Sequence, residues 1–220
     1  MKPIKALILG ILLLVPILIF IFVSVFGTHH FSLKTYYPRF DDAGKVVYDA
    51  AGDTVFQQVS YFTLTSQEGV TVTQDDLDNT IYIVNLFNTA CQDTCQETFS
   101  ELQRVNEVFA NNPQVKLVSI TTSPTTDSVH VLKEFADNMG VDSQNWLLLT
   151  GDQLEVYTLA DKGFHRPITL ADSEPQYSHD VLLVDKEKLI RGVYKGTDRT
   201  DVDRLVTEIK VLLDEYSKRK

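Results

Sequence analysis

The sequence predicts an α/β fold in which a central mixed β-sheet is flanked by helices. Residues 81–87 form a nearly continuous apolar run, which is typical of a strand buried on both faces of a sheet. After this run, strand and helix patterns alternate along the chain, and that order favours helices packed on a sheet. The hydrophobic fraction of 44% and the charged fraction of 23% exclude a disordered chain or a multi-span membrane protein.

Short strands are expected before the central strand. Residues 45–48 and 54–56 flank the turn residues 51–53, which predicts a hairpin. Polar and apolar residues alternate from 59 to 65, and a further short strand follows at 70–73.

Two helices and a second buried strand are expected after the central strand. The first helix has one apolar side, made of Phe99, Leu102, Val105 and Phe109. Residues 115–120 then read as a buried strand. Residues 127–139 read as a helix that is closed by Gly140.

The last third of the chain predicts shorter elements and one long helix. They are a strand at 146–149, a helix at 153–160, a loop at 165–178, a hairpin of strands 181–185 and 189–194, and a final helix capped by Thr200. Strand, helix, strand and helix, followed by a hairpin and a helix, is the order of a thioredoxin-like sandwich.

The amino-terminal segment predicts a membrane anchor. Residues 6–27 carry no charge and, at about 1.5 Å per residue, are long enough for the ~30 Å core of a bilayer. A cleaved signal peptide is the alternative, although its apolar region is usually shorter. The predicted division is an anchor at 1–27, a juxtamembrane spacer with a hairpin at 28–58, and a thioredoxin-like domain at 59–220.

The charges that flank this segment slightly favour an outward-facing domain, because Lys2 and Lys5 precede it while Lys34 and Arg39 follow it. We therefore expect a single-pass protein of the inner, cytoplasmic membrane whose domain faces the periplasm or another extracytoplasmic space. With 30 acidic and 20 basic residues, the net charge of −10 repels phosphate backbones and disfavours nucleic-acid binding.

Cys91 and Cys95 are the strongest chemical signal in the chain. They lie between the central strand and the first turn of a helix, where main-chain amides and the helix dipole favour a thiolate. A structural disulfide is the alternative interpretation. Closing so short a loop would restrict the unfolded chain by only ~2 kcal/mol, so we favour a reactive redox dithiol or a pair of metal ligands.

His179 is the histidine placed to join them, because it directly precedes the strand at 181–185, whose start abuts the cysteine loop in this fold. His29 and His30 are expected to be solvated beside the membrane and His130 to lie on an exposed helix side. His165 is a weaker candidate ligand. Two sulfurs and an imidazole suit copper or zinc, and copper is satisfied by three ligands, with Asp180 as an additional candidate for Cu(II). On spacing alone, copper binding and pure thiol chemistry are equally favoured.

Four segments resemble motifs of the Sco/SenC family of membrane-tethered, thioredoxin-like copper proteins. They are VNLFNTACQDTC at 84–95, SITTSPTTDS at 119–128, WLLLTGD at 146–152 and YSHDVLLVD at 177–185. The resemblance covers 59–216 and implies that Cys91, Cys95 and His179 bind copper as Cu(I) or Cu(II). It also implies a metallochaperone that delivers copper to the binuclear copper centre of cytochrome c oxidase, or prepares that centre by redox chemistry.

The partners implied are the copper-bearing subunit of the oxidase, together with a thiol reductant or a copper donor protein. The sequence departs from the family where Gln92 and Gln96 replace the prolines that usually follow the cysteines. Two other functions stay open: an extracytoplasmic thiol-disulfide oxidoreductase, and a redox sensor using the same pair. Three residues separate the cysteines and no proline directly precedes the strand at 181–185, so the oxidoreductase is less favoured.

Overall fold

The computed structural model describes residues 12–19, 22, 32–90, 94–172 and 174–219. The chain divides into two compact units, Met1–Ser32 and Leu33–Lys220. Residues 12–19 and 22 are helical, and the remainder of the predicted anchor at 1–27 lies outside the described residues. In the part of the chain that is described, no helix combines the length and apolar character needed to cross a membrane.

The described residues of the second unit form nine strands and four α-helices. The strands are β1 (Thr63–Ser66), β2 (Thr71–Thr73), β3 (Ile81–Phe87), β4 (Val115–Thr121), β5 (Trp146–Thr150), β6 (Thr169–Ala171), β7 (Glu174–Gln176), β8 (Asp180–Val184) and β9 (Ile190–Lys195). The helices are α1 (Thr94–Phe109), α2 (Val129–Met139), α3 (Gln153–Thr158) and α4 (Arg199–Lys218). A 3₁₀ turn at Gln74–Leu77 and a π-helical turn at Leu159–Gly163 complete the set.

Seven strands form one mixed sheet in the order β2-β1-β5-β4-β3-β8-β9, and β6 pairs with β7 alone. Strands β3, β4 and β5 are parallel to one another, whereas β8 runs antiparallel to both β3 and β9. The predicted α/β class and its mixed sheet are therefore confirmed.

The central strand β3 is buried along its whole length, as its apolar run predicts. Ile81, Ile83 and Phe87 enter the core that also contains side chains of α1, α2 and α4. The alternate residues of β3, such as Tyr82 and Val84, enter a second core that also contains side chains of β1 and α3. Because each buried aliphatic or aromatic side chain contributes about 1.5–3 kcal/mol, two-sided burial makes β3 a strong anchor of the sheet.

Two hydrogen bonds between buried side chains connect the three parallel strands. Ser119 of β4 donates a hydrogen bond to Oδ1 of Asn85 at 2.5 Å, and Nε1 of Trp146 donates to Oγ of Ser119 at 2.9 Å. All three side chains are buried, so these polar atoms depend on one another for hydrogen bonds. This arrangement fixes how β3, β4 and β5 align within an otherwise apolar core.

Three local expectations were wrong. The helix expected at 127–139 begins at Val129, because the side chain of Ser128 caps it and Asp127 makes other contacts. The final helix is capped by Asp198 rather than by Thr200, since the Asp198 carboxylate accepts the main-chain N–H groups of Thr200 and Asp201. The loop expected at 165–178 contains the hairpin of β6 and β7.

The segment before β1 packs on the edge formed by β9. The buried guanidinium of Arg191 in β9 donates to the carboxylate of Asp185 and to the main-chain carbonyl of Leu33, each at 2.8 Å. The N–H of Tyr36 donates to the carbonyl of Ile190 at 2.9 Å. In the sequence between Tyr36 and β1, Tyr48 and Thr54 form an antiparallel bridge with each other. The two ends of residues 33–58 are therefore held at this edge, at Leu33 and Tyr36 and at the bridge between Gln58 and Leu189.

We expect Ser119→Ala to lower the free energy of unfolding by about 1–3 kcal/mol, because it leaves Asn85 and the Trp146 indole N–H buried without their partner. Trp146 is the single tryptophan of the chain, so its fluorescence reports both the unfolding transition and the local change. Ser217→Ala, at an exposed position in α4, is the matched control. Equal stability losses in the two variants would contradict a structural role for these two hydrogen bonds.

Candidate functional site

The candidate site lies where β3 ends and α1 begins. Strand β3 ends at Phe87, and α1 begins at Thr94. The segment between them, residues 88–93, is the cysteine loop, and it follows a strand that is buried along its whole length. Cys95 is buried in the first turn of α1. At that position the free N–H groups of the helix favour a negatively charged sulfur. Cys91, together with residues 92 and 93, lies outside the described residues.

Tyr177 contacts the sulfur of Cys95. The distance from its Oη to Sγ is 3.3 Å. Burial raises the pKa of Tyr177 to about 12, a main-chain hydrogen bond with Asn88 opposes the rise, and the charge of Asp127 adds to it. The phenol therefore stays protonated at neutral pH and is a hydrogen-bond donor.

His179 lies on the same side of the sheet end. It directly precedes β8, which pairs with β3, and its main-chain carbonyl accepts the N–H of Gly196 at 3.3 Å. Its ring centroid is 4.9 Å from that of Tyr177, with the planes tilted by 60°. Burial lowers the pKa of the imidazole, and the charge of Asp180 partly opposes this shift. A neutral imidazole has a free lone pair, as a metal ligand requires.

A cavity of about 260 Å³ opens between the cysteine loop and His179. Its walls include Ala90, which directly precedes Cys91, and the side chains of Tyr177 and His179. The β6–β7 hairpin closes one side through Glu174, Pro175 and Gln176. An ion or a partner side chain that entered this cavity would meet His179 and the start of the cysteine loop together.

The described residues bring Cys95 and His179 to one region, since Tyr177 touches both. Among residues 32–90, 94–172 and 174–219, no group of three His, Cys, Asp or Glu side chains is close enough to hold a metal ion. Because Cys91 lies outside that range, the three-ligand set of Cys91, Cys95 and His179 stays a prediction.

Asp180, which directly follows His179, is paired with Arg166. Its carboxylate lies 2.8 Å from Nε of Arg166, and Nη1 of Arg166 donates to Oη of Tyr37 at 2.9 Å. The ring of His165 stacks on Tyr37 with a centroid distance of 3.9 Å. Asp180 and His165, the two weaker candidate ligands, are therefore both engaged in this cluster beside the site.

The remaining histidines make no contribution to the described site. His130 is exposed on α2, as expected, and His29 and His30 lie outside the described residues.

Asp127 ties the cysteine loop to the loop after β4. Its buried carboxylate accepts the hydroxyl of Thr89 at 2.6 Å, the N–H of Thr89 at 3.2 Å, and the hydroxyl of Thr121. Thr89 stands just before Cys91 along the chain, so Asp127 fixes where the cysteine loop departs from β3. The sequence gives no direct signal for this role, because Asp127 resembles an ordinary residue at the start of a helix.

Comparison with known proteins identifies the family. The SCO1/SenC family model matches residues 51–214 of this chain. The chain belongs to the SCO1/SenC family. The family resemblance predicted from the four motifs is thereby confirmed, and the match extends across the sheet and across all the candidate site residues.

Individual Sco proteins support the same assignment. A SCO1 protein homolog of Bacillus subtilis (strain 168) is 26% identical over 162 residues, which is 72% of this chain and 84% of the relative. The structure of BsSco, a member of the Sco family of cytochrome c oxidase assembly proteins, aligns with a TM-score of 0.62 at 24% identity. That alignment covers 70% of this chain and 91% of BsSco.

Arabidopsis thaliana ScoI, whose structure has copper bound, aligns with a TM-score of 0.61 at 21% identity and covers 72% of this chain and 99% of ScoI. These structural likenesses show that the two proteins share the fold of this Sco family member. Of the two glutamines that depart from the usual family pattern, Gln96 is exposed on α1 and Gln92 lies outside the described residues.

We expect Asp127→Ala to lower the free energy of unfolding by about 1–3 kcal/mol, because the buried hydroxyl of Thr121 and the N–H of Thr89 lose their acceptor. Urea unfolding measures the change. Asp142→Ala is the matched control, since Asp142 also accepts a main-chain N–H, at 3.0 Å, but is exposed. If both variants lose the same stability, the buried Asp127 contacts are not what holds the cysteine loop.

Proposed function

We propose that this Sco family member binds one copper ion through Cys91, Cys95 and His179 and serves cytochrome c oxidase assembly. The main observation in support of this proposal is that Tyr177 contacts both Cys95 and His179, beside a cavity that leads to the cysteine loop. The copper-bound Arabidopsis ScoI and the assembly role of the family of BsSco support the choice of metal and pathway.

The chemistry of the donor set fits copper. Two thiolates are soft ligands and hold Cu(I), whereas Cu(II) depends more on the imidazole nitrogen. Arg166 engages the nearby carboxylate of Asp180, and the proposed ligands are two sulfurs and one nitrogen. Calcium and magnesium, which require several oxygen ligands, are therefore disfavoured.

Copper is the cargo of this protein, so the site must release it. His179 is half-buried and lines an open cavity, so a ligand from an acceptor protein has a route to the metal. We propose the copper-bearing subunit of cytochrome c oxidase as that acceptor, and a thiol reductant or copper donor protein as the preceding partner. The segment at 1–27 would hold the domain at the outer face of the cytoplasmic membrane.

The same cysteines support a redox role. Two thiols lose two electrons and two protons to give one disulfide, and a small thiol such as glutathione can reverse the step by thiol-disulfide exchange. A redox preparation of the oxidase copper centre, or a general oxidoreductase, would use this chemistry without needing His179. The two functions are separated by the dependence on that histidine.

We expect His179→Ala to weaken Cu(II) binding by at least the 10–100-fold that even outer-shell changes cost, because Cu(II) depends on the imidazole. Cu(I) affinity should fall less, since two thiolates remain. Anaerobic titration of the reduced protein with each ion, read by stoichiometry and absorption, measures both affinities. The control is His130→Ala on the exposed face of α2. Unchanged Cu(II) affinity together with surviving disulfide-reductase turnover would favour the oxidoreductase.

We also expect Cys91 and Cys95 to form a reversible disulfide in the metal-free protein, and copper to protect both thiols from alkylation. The metal and the alkylating reagent compete for the same thiolates. The measurement is the alkylation rate of each cysteine by mass spectrometry, with and without Cu(I). Equal rates in the two conditions would show that the cysteines are not copper ligands.

A further inference from the structure

We propose that Tyr177 is a positioning residue that tunes the sulfur of Cys95 through a hydrogen bond from its phenol hydroxyl. The proposal deepens the proposed function, because it concerns the same sulfur. It assigns the tyrosine a role distinct from that of a metal ligand: the hydroxyl acts on Cys95 from outside the predicted set of Cys91, Cys95 and His179.

The direction of the hydrogen bond follows from the chemistry of sulfur. Oη of Tyr177 lies 3.3 Å from Sγ of Cys95, and from geometry alone either atom could donate. A thiolate, a disulfide sulfur and a metal-bound thiolate all lack a hydrogen. In each of the working states of the site, therefore, the tyrosine hydroxyl is the donor and the sulfur is the acceptor.

The structure fixes the tyrosine where this contact is made. Its ring packs 4.9 Å from the ring of His179, and it interacts with the main chain of Asn88, directly after β3. The hairpin strand β7 ends one residue before it. One side chain thus spans the start of the cysteine loop, the first turn of α1 and the approach to β8.

A hydrogen bond of this kind favours the electron-rich forms of sulfur. A charged acceptor gains more from a hydrogen bond than a neutral one, so the hydroxyl stabilises a thiolate more than a disulfide sulfur. In the exchange with glutathione, the protein disulfide and two glutathione thiols give the protein dithiol and glutathione disulfide. Tyr177 shifts this equilibrium toward the dithiol, which is the form that can take up metal.

The same contact would act on copper held by this sulfur. Hydrogen bonds around a cysteine sulfur change how strongly it donates electrons to the metal, and this tunes the redox balance of copper-thiolate sites. By drawing electron density from Cys95, Tyr177 would weaken donation to Cu(II) more than to Cu(I). The site would thereby favour the reduced ion.

The test compares Tyr177→Phe with Tyr157→Phe. Tyr177→Phe keeps the ring against His179 and removes only the hydroxyl. Tyr157 is the matched control, because its hydroxyl donates to the main-chain carbonyl of Thr122 at 3.3 Å. Both metal-free proteins are equilibrated in glutathione buffers of known ratio, and the dithiol and disulfide forms are counted by mass spectrometry after acid quenching. Thermal unfolding confirms that each variant is folded.

We expect Tyr177→Phe to shift the equilibrium about tenfold toward the disulfide, and Tyr157→Phe to leave it unchanged. No shift in Tyr177→Phe, or equal shifts in the two variants, would overturn the proposal. This readout uses no copper, so it stands even if the protein binds none. A failure of the proposed copper function is seen instead in the His179→Ala titration.

A second variant separates the hydroxyl from the ring. Tyr177→Leu removes both. We expect the same shift in the glutathione equilibrium, together with a Cu(II) affinity several-fold below that of Tyr177→Phe, because His179 loses its aromatic neighbour. In Tyr177→Phe the Cu(II) affinity, relative to Cu(I), should instead rise, and the sulfur-to-copper absorption band should move. If Tyr177→Leu shifts the equilibrium while Tyr177→Phe does not, the ring rather than the hydroxyl matters, and the proposal is wrong.

Discussion

The pairing of β3 with a parallel and an antiparallel neighbour is the constraint on which the site depends. Strand β4 runs parallel to β3, with Thr121 opposite Phe87, so the chain leaves both strands at the same end of the sheet. Strand β8 runs antiparallel, with Val181 opposite Asn85, so the chain enters it at that same end. The start of the cysteine loop, the loop that contains Asp127, and His179 are therefore brought together by the strand directions alone. Two-sided burial of β3 keeps that convergence in place.

Two carboxylates beside the site are engaged by other side chains. The carboxylate of Asp127 accepts hydrogen bonds from Thr89 and Thr121, and that of Asp180 forms an ion pair with Arg166. Each of these acidic groups therefore has a partner in the described residues, and a hard cation would have to displace that partner first. Glu174 is the acidic residue that the described residues place in the wall of the cavity, where it lies with His179.

The sequence was informative where a pattern is local or periodic. The apolar run of β3 predicted a buried central strand, and the position of His179 before β8 predicted that it lies near the cysteine loop. Tyr177 and Asp127 were missed because their contacts join residues far apart along the chain, and a single polar side chain leaves no periodic signal. The β6–β7 hairpin was missed because its strands are three residues long and Pro175 lies in one of them.

The attachment of residues 33–58 to β9 has a consequence for how the protein can be handled. Strand β9 is an edge of the seven-stranded sheet. Tyr36 bonds to its first residue, Ile190, and Gln58 forms a bridge with Leu189 just before it. Open sheet edges are templates for intermolecular strand pairing. A recombinant fragment that begins at Val59 would uncover this edge and leave the guanidinium of Arg191 without the carbonyl of Leu33. Soluble material for biophysics is better begun at Leu33 or earlier, where the chain supplies its own protection against aggregation.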